Sequence, residues 1–437
     1  MVGSAVLARR LTPRGLILLL LAAATLLGGL GQAGTIAAAP EMRDFLKLPN
    51  NELAIADGAA ALGFYLALVL GGVLVELFGT ARAILICGAG TVVAMGLTGS
   101  AWTLTVLVLG RLLLGLSAGA MLPAAAAALA PWTPPRERGW AVGSIHAAIA
   151  VGSALAWPLF GLAAWLGLWR GGFFVVAGLA ATWVFACRLW FRPNPGDAAG
   201  EPIAAPLPVH WRGALPILLL PTLLAIVQGW GMALCQEWVP RYLLATWHFD
   251  IKLSNWVSVV SGGAMILGCL AGGIAADRSL NHSSNIRSAH QIVPGVGFLL
   301  AAISLIMLPI GEDQLAIALW LGLALFGLQA AGMMLWVFAI DIGGQHTGIS
   351  AGFVGLGLLL SRLISPLYLF RLGHWIPAVL GVAMLLMAGV LSFRLRPDLE
   401  LPVLRPPARL RSEPGEEAAT EIDGLLETAR AKGRARV

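Results

Sequence analysis

Two arginines stand where arginine is hardest to place. Arg111 falls in GRLLLGLSAGAMLP, residues 110–123, and Arg362 lies near the middle of a second apolar run, residues 348–370. A charge at mid-membrane costs at least about 2.5–3.5 kcal/mol on insertion scales and marks a function by default. A guanidinium can present its fork to a substrate carboxylate, or it can spend its donors on carbonyls of a neighbouring helix. On a helix Arg111 shares a face with Gly115, Ala118 and Gly119, a strip of small residues that permits close packing. Three further residues carry usable chemistry. His146 titrates nearest physiological pH and is a candidate proton carrier, with hydrogen-bonded packing as its alternative. Glu237 closes an apolar run beside Trp238, where proton coupling competes with a plain interfacial position. Trp336 can stack on a substrate or simply pack.

These residues need a setting, and composition supplies it. Of 437 residues 58% are hydrophobic and only 11% charged, against roughly 25% charged in soluble domains. Such a chain cannot be wetted on all sides, so lipid is its solvent. The four cysteines, Cys87, Cys187, Cys235 and Cys269, lie in apolar runs and read as packing residues. No metal-ligand spacing, phosphate loop or cofactor motif is present, so neither a metal nor a cofactor is expected, and an enzyme would have little to work with. The net charge of +6 would suggest nucleic acid in a soluble protein; here the basic residues follow membrane topology instead.

A spanning helix needs about 20 apolar residues. Such runs lie near 15–38, 54–76, 83–101, 103–130, 140–165 and 171–190, and resume near 214–243, 254–276, 292–310, 315–340, 348–370 and 375–393. The expected fold is therefore an all-α membrane protein of twelve transmembrane helices: a six-helix bundle over 1–190, a cytoplasmic linker over 191–213 rich in Pro, Gly and Ala, a second six-helix bundle over 214–393, and a disordered, lipid-anchoring tail over 394–437. The first run exceeds the 7–15 residues of a signal-peptide core, so it reads as a span. Basic residues concentrate in the loops on the side of the termini, while Arg43, Lys47, Arg170, Arg241, Lys252 and Arg371 fall on the other; this asymmetry puts both termini in the cytoplasm.

The two halves echo each other. GGVLVELFG (71–79) answers GGIAADRSL (272–280), GLSAGAML (115–122) answers GLQAAGMML (327–335), and GSALAWPLFGL (152–162) answers LSRLISPLYLF (360–370). Proteins built from repeated halves bind ligand near the midplane, between them, and work by rocking.

At this point the chain resembles the major facilitator superfamily. Gly72, Leu74, Glu76, Gly79 and Arg82 match its G-x-L-x-D-R-x-G-x-x-R loop, with Glu for Asp and Leu77 for Arg; Gly273, Asp277 and Arg278 form the second-half copy. The resemblance implies that Gly72, Glu76, Gly79, Arg82, Asp277 and Arg278 form a gating latch. Within the superfamily the chain is similar to the anion:cation symporters, which include hexuronate, phthalate and sialic-acid carriers. That similarity rests on GRLLLGLSAGAMLP, PWTPPRERGWAVG, LWRGGFF, EWVPRYL and ISPLYLF. It implies a substrate or coupling role for Arg111 and an aromatic at Trp336. The departures are as informative: the family's first-span Asp-Arg pair matches Gly31 and Gln32, its fourth-span glutamate Ala118, two of its asparagines His146 and Gly355, and a glycine Arg362.

The expected function is a secondary transporter that moves a small organic anion by alternating access with proton symport. Arg111, Arg362, His146, Glu237 and Trp336 are its substrate or coupling residues. It is expected to act as a monomer in the bacterial inner membrane, with lipid, the anion and a proton as partners and no nucleic acid. The alternatives are an exporter or uniporter, or a non-transporting receptor on the same scaffold.

Overall fold

The computed structural model describes residues 12–47, 49–192, 209–247, 251–283, 286–310, 314–369 and 376–403. Most of the linker, Arg371 and residues 404–437 lie outside them. Twelve long helices follow one another within the described residues. The first six are α1 (Pro13–Ala37), α2 (Asn50–Phe78), α3 (Thr80–Gly99), α4 (Leu104–Leu129), α5 (Arg138–Trp165) and α6 (Trp169–Trp190). The second six are α7 (Trp211–Ala233), α8 (Ile251–Ser283), α9 (Ile286–Met307), α10 (Gln314–Gly343), α11 (Thr347–Leu369) and α12 (Ile376–Ser392). Ten stretches are long and apolar enough to cross a membrane; one of them, Gln314–Ile364, joins α10 and α11, and the shorter α12 is also apolar.

Helix starts and ends follow local chemistry. Thr12 accepts from the Gly15 amide ahead of Pro13, and Thr103 caps α4 at the Val106 amide, each supplying an acceptor for an otherwise orphaned N–H. Gly79 ends α2 at φ +76°, a conformation that a side chain would strain. A turn of only three residues, Gly344–His346, separates α10 from α11.

In the first half, α2 packs along α4 at backbone distance. A Cβ on Gly115 or Gly119 would come within 2.0 Å of the Ala60 carbonyl or 2.1 Å of the Phe64 carbonyl. The glycine strip of α4 is therefore the α2 interface. The halves meet along two helix pairs, α2 with α11 and α5 with α8. There the approach is equally close: a Cβ on Gly72 would lie 2.4 Å from the Gly348 carbonyl, and one on Gly273 2.3 Å from that of Gly139.

Two sequence expectations change. The stretch after α12 is not uniformly disordered: Leu395 and Leu401 are buried, the Leu401 amide donates to the Ile342 carbonyl at 2.9 Å and the His210 amide to that of Pro402 at 2.8 Å. Arg287 donates to both Asp398 oxygens and holds that carboxyl below its ordinary range. Two apolar anchors and a run of backbone bonds offset the ordering cost that composition alone left unmet. Glu237 does not close the seventh span either. It sits in a π-helical turn, Leu234–Trp238, that joins α7 to a further helix, Val239–Trp247, so it lies within a continuous span, Trp211–Leu243.

Candidate functional site

A cavity of about 440 Å³ lies between the halves, within the roughly 300–1,000 Å³ of small-molecule sites. The first half contributes α1, α2, α4 and α5, with Gln32, Tyr65, Ser117, His146 and Ser153 among the polar residues; the second contributes α7, α8, α10 and α11, with Gln228, Gln236, Glu237, Gln329 and Arg362. Arg362 and Glu237 are the oppositely charged pair in this lining, and Arg362 Nη1 donates to Glu237 Oε1. Their side chains are 34% and 27% exposed, so both remain reachable from the cavity. Four glutamines, Gln32, Gln228, Gln236 and Gln329, line the same cavity, and a glutamine amide can donate to an anion.

The π turn explains how Glu237 reaches inward. An extra residue in a helical turn rotates the following side chains off the face they would otherwise share, and such bulges recur at functional sites. Here Gln236 and Glu237 both line the cavity.

At the cavity's α5–α10 wall His146 packs against Trp336, ring centroids 5.4 Å apart. Its Nδ1 lies 3.0 Å from the Val142 carbonyl; that bond is made by a ring N–H and so fixes the tautomer with Nε2 bare. Four of the five candidate residues, Arg362, His146, Glu237 and Trp336, thus line one cavity.

Arg111 is the exception. Its side chain is 2% exposed and is not part of the cavity lining. It turns toward α1 and α2, donating to the carbonyls of Gly31 and Gln32 at 2.9 Å each and to Asp57 Oδ1 at 3.3 Å. The Thr35 hydroxyl donates to the same oxygen at 3.0 Å. The expected substrate contact is replaced by a three-helix knot, because the small-residue face that carries Arg111 is the face that packs on α2. One product of that knot reaches the cavity: Gln32, whose carbonyl Arg111 holds, lines it.

Sequence reasoning passed over Asp57, although a lone acid in the apolar run LAIADGAAAL was a visible signal. It also passed over Arg138, Asp341, His290 and His346, which join the expected latch residues in a group of charges at the end of the bundle where α1 begins and α12 ends. There Arg138 at the start of α5 donates to Asp341 Oδ1 at the end of α10, and His290 of α9 lies 2.6 Å from the other Asp341 oxygen. His346 Nδ1 and Glu76 Oε2 are 3.2 Å apart, joining the α10–α11 turn to α2. Asp277 of α8 accepts from the Gly139 and Trp140 amides at 2.9 and 2.8 Å, an anion on the positive end of α5. Of the expected latch residues, Glu76 and Asp277 reach across the halves and Gly72 lies in the seam. Arg82 and Arg278 are exposed close by, in the first turn of α3 and next to Asp277, and Gly79 is the α2 cap. Together these contacts close the cavity's terminal end.

Apolar helices in two packed halves, around a largely apolar cavity with a few polar groups and one ion pair, are the build of a membrane transporter. Residues 21–344 match the Major Facilitator Superfamily, and the chain belongs to that family. It is 26% identical over 385 residues, 83% of this chain and 89% of the other, to the "Probable sulfoacetate transporter" of Cupriavidus necator. It is 24% identical to the galacturonate transporter of Dickeya chrysanthemi, covering 57% of this chain and 77% of that one. Among solved structures, the proton:xylose symporter XylE bound to 6-bromo-6-deoxy-D-glucose superposes with a TM-score of 0.67 at 15% identity, over 87% of this chain and 94% of that chain. The human organic anion transporter MFSD10 also gives 0.67, at 14% identity over 87% and 100%. At these identities the two structures speak for the fold alone.

Proposed function

We propose that the protein is a proton-coupled symporter that carries a small organic anion through the central cavity by alternating access. The carrying observation is Arg362: among the described residues it is the cation of the cavity lining, which it shares with four glutamines. A carboxylate or sulfonate can take both edges of that fork. Relatives whose names include sulfoacetate, galacturonate and hexuronate transporters support the same substrate class. The seam of glycines and charges at one end suits a state sealed on that side, and rocking the halves apart would expose the cavity there.

The asymmetry of basic loop residues supports a bacterial inner-membrane protein with that sealed end in the cytoplasm, hence an outward-facing state. The cavity is lined by one chain, which supports a monomer as the working unit. Arg111 serves this reading as a positioning residue: it fixes the α1 carbonyls beside the cavity-lining Gln32. His146 and Glu237 are the coupling candidates. Purified protein in liposomes should take up sulfoacetate or galacturonate, and faster when the lumen is alkaline. Liposomes that take up neither anion, with or without a pH gradient, would refute the proposal.

A further inference from the structure

We infer that Glu237, and not His146, is the proton carrier, and that it works by exchange at Arg362. The incoming anion takes the guanidinium that Glu237 holds, and the displaced carboxylate is neutralised by a proton. The inference rests on the anion reading above and names the coupling site within it.

Arg362 from α11 and Glu237 from the π turn are paired across the cavity wall, so the pair carries no net charge. Among the described residues the lining offers no second arginine or lysine. An arriving anion must therefore displace Glu237 or share Arg362 with it. Either way two negative groups stand beside one cation in a confined, largely apolar space. A carboxylate that loses its cation, or gains a like-charged neighbour, holds a proton more tightly. The proton comes from water on the open side: one O–H bond forms on a Glu237 oxygen while the ion pair to Arg362 breaks. When the anion leaves on the other side, Arg362 recaptures the carboxylate and the proton departs to water there. A monoanion such as galacturonate and its proton travel as a neutral load, which suits a carrier that must swing its site past lipid; sulfoacetate, with two negative groups, would leave one charge over.

The surroundings leave Glu237 as the group that can do this. The other titratable residues of the lining are Tyr65 from α2 and His146 from α5. His146 donates its Nδ1–H to the Val142 carbonyl and packs at a tilt against Trp336, whereas Glu237 holds the guanidinium that the anion must take, so anion arrival acts on Glu237 directly. The α8 and α10 residues of the wall, Met265, Gln329, Met333 and Trp336, carry no charge. Packed on the turn, α12 has no titratable residue. Within the turn Cys235 is buried, and one turn further on Arg241 is exposed and has an interaction of its own.

The test uses the full chain, with sulfoacetate and galacturonate as probes. Binding heats measured in buffers of different ionisation enthalpy count the protons taken up. Wild type is expected to take up about one proton per anion bound near neutral pH. Glu237→Gln should bind the same anion at least as tightly, because nothing competes for Arg362, with no proton uptake. In liposomes it should exchange anion for anion yet no longer accumulate it on a pH gradient. Glu237→Asp should restore proton uptake in part. Wild-type binding without proton uptake, or gradient-driven accumulation by Glu237→Gln, overturns the inference and leaves the anion reading standing. Should Glu237→Gln fail to fold, the wild-type proton count decides. Failure of wild type to bind either probe overturns the anion reading itself, and this inference with it.

Discussion

Arg111→Ala separates a positioning arginine from a binding one. The substitution removes two carbonyl bonds and the Asp57 bond, leaves Asp57 without its cation, and opens a void among α1, α2 and α4. Breaking a buried ion pair by deleting one partner costs about 3–5 kcal/mol. The Asp57 side chain is 36% exposed and part of its charge can be rehydrated, which favours the lower end, about 3 kcal/mol. Hydrogen bonds to a charged group contribute about 1.5–3 kcal/mol each, so the figure needs no further term. The assay pairs thermal unfolding in detergent with anion affinity of the fraction that remains folded. Markedly reduced thermal stability is expected, with affinity within about threefold of wild type. Arg111→Met, which refills the void without the charge, should recover part of the stability. Wild-type stability combined with abolished binding would refute the reasoning and return Arg111 to the substrate.

Other outcomes follow from the seam and the topology. Arg138→Gln removes the cross-half ion pair to Asp341 and leaves that acid with His290; a cysteine placed at Met333 should then react faster with reagents applied from the terminal side. Gly72→Ala puts a methyl 2.4 Å from the Gly348 carbonyl, so closure at that end should fail and transport should fall at least tenfold with affinity little changed. All four native cysteines are buried, giving a quiet background in which Ala198→Cys, in the linker, should be labelled in intact cells only by membrane-permeant reagents.

The fold was legible because each span is a long apolar run and the linker is a long break in hydropathy. The short join between α10 and α11 was found only because its Gly-Gly-Gln-His interrupts the run. Arg362, His146, Glu237 and Trp336 come from α11, α5, the π turn and α10, and an inward-facing polar residue in each pointed to one cavity. Arg111 lies outside the cavity lining for a reason that its own sequence contained. The Gly115–Gly119 strip means close packing against another helix, so a side chain on that face points into an interface. Which helix supplies the other surface is a tertiary fact, and with it went Asp57. The π turn was invisible for a similar reason: an extra residue in a helical turn leaves no mark on an apolar pattern. Asp341, His290 and His346 belong to no motif, and only the fold brings them to one seam.

The central claim is that Arg362 holds the anion, and its most direct test is the affinity of Arg362→Gln for sulfoacetate or galacturonate, measured on folded protein. Loss of a charged hydrogen bond of about 1.5–3 kcal/mol corresponds to an affinity roughly 10- to 150-fold weaker, with thermal stability near that of wild type because the pair is open to the cavity. Unchanged affinity in well-folded Arg362→Gln would contradict the account.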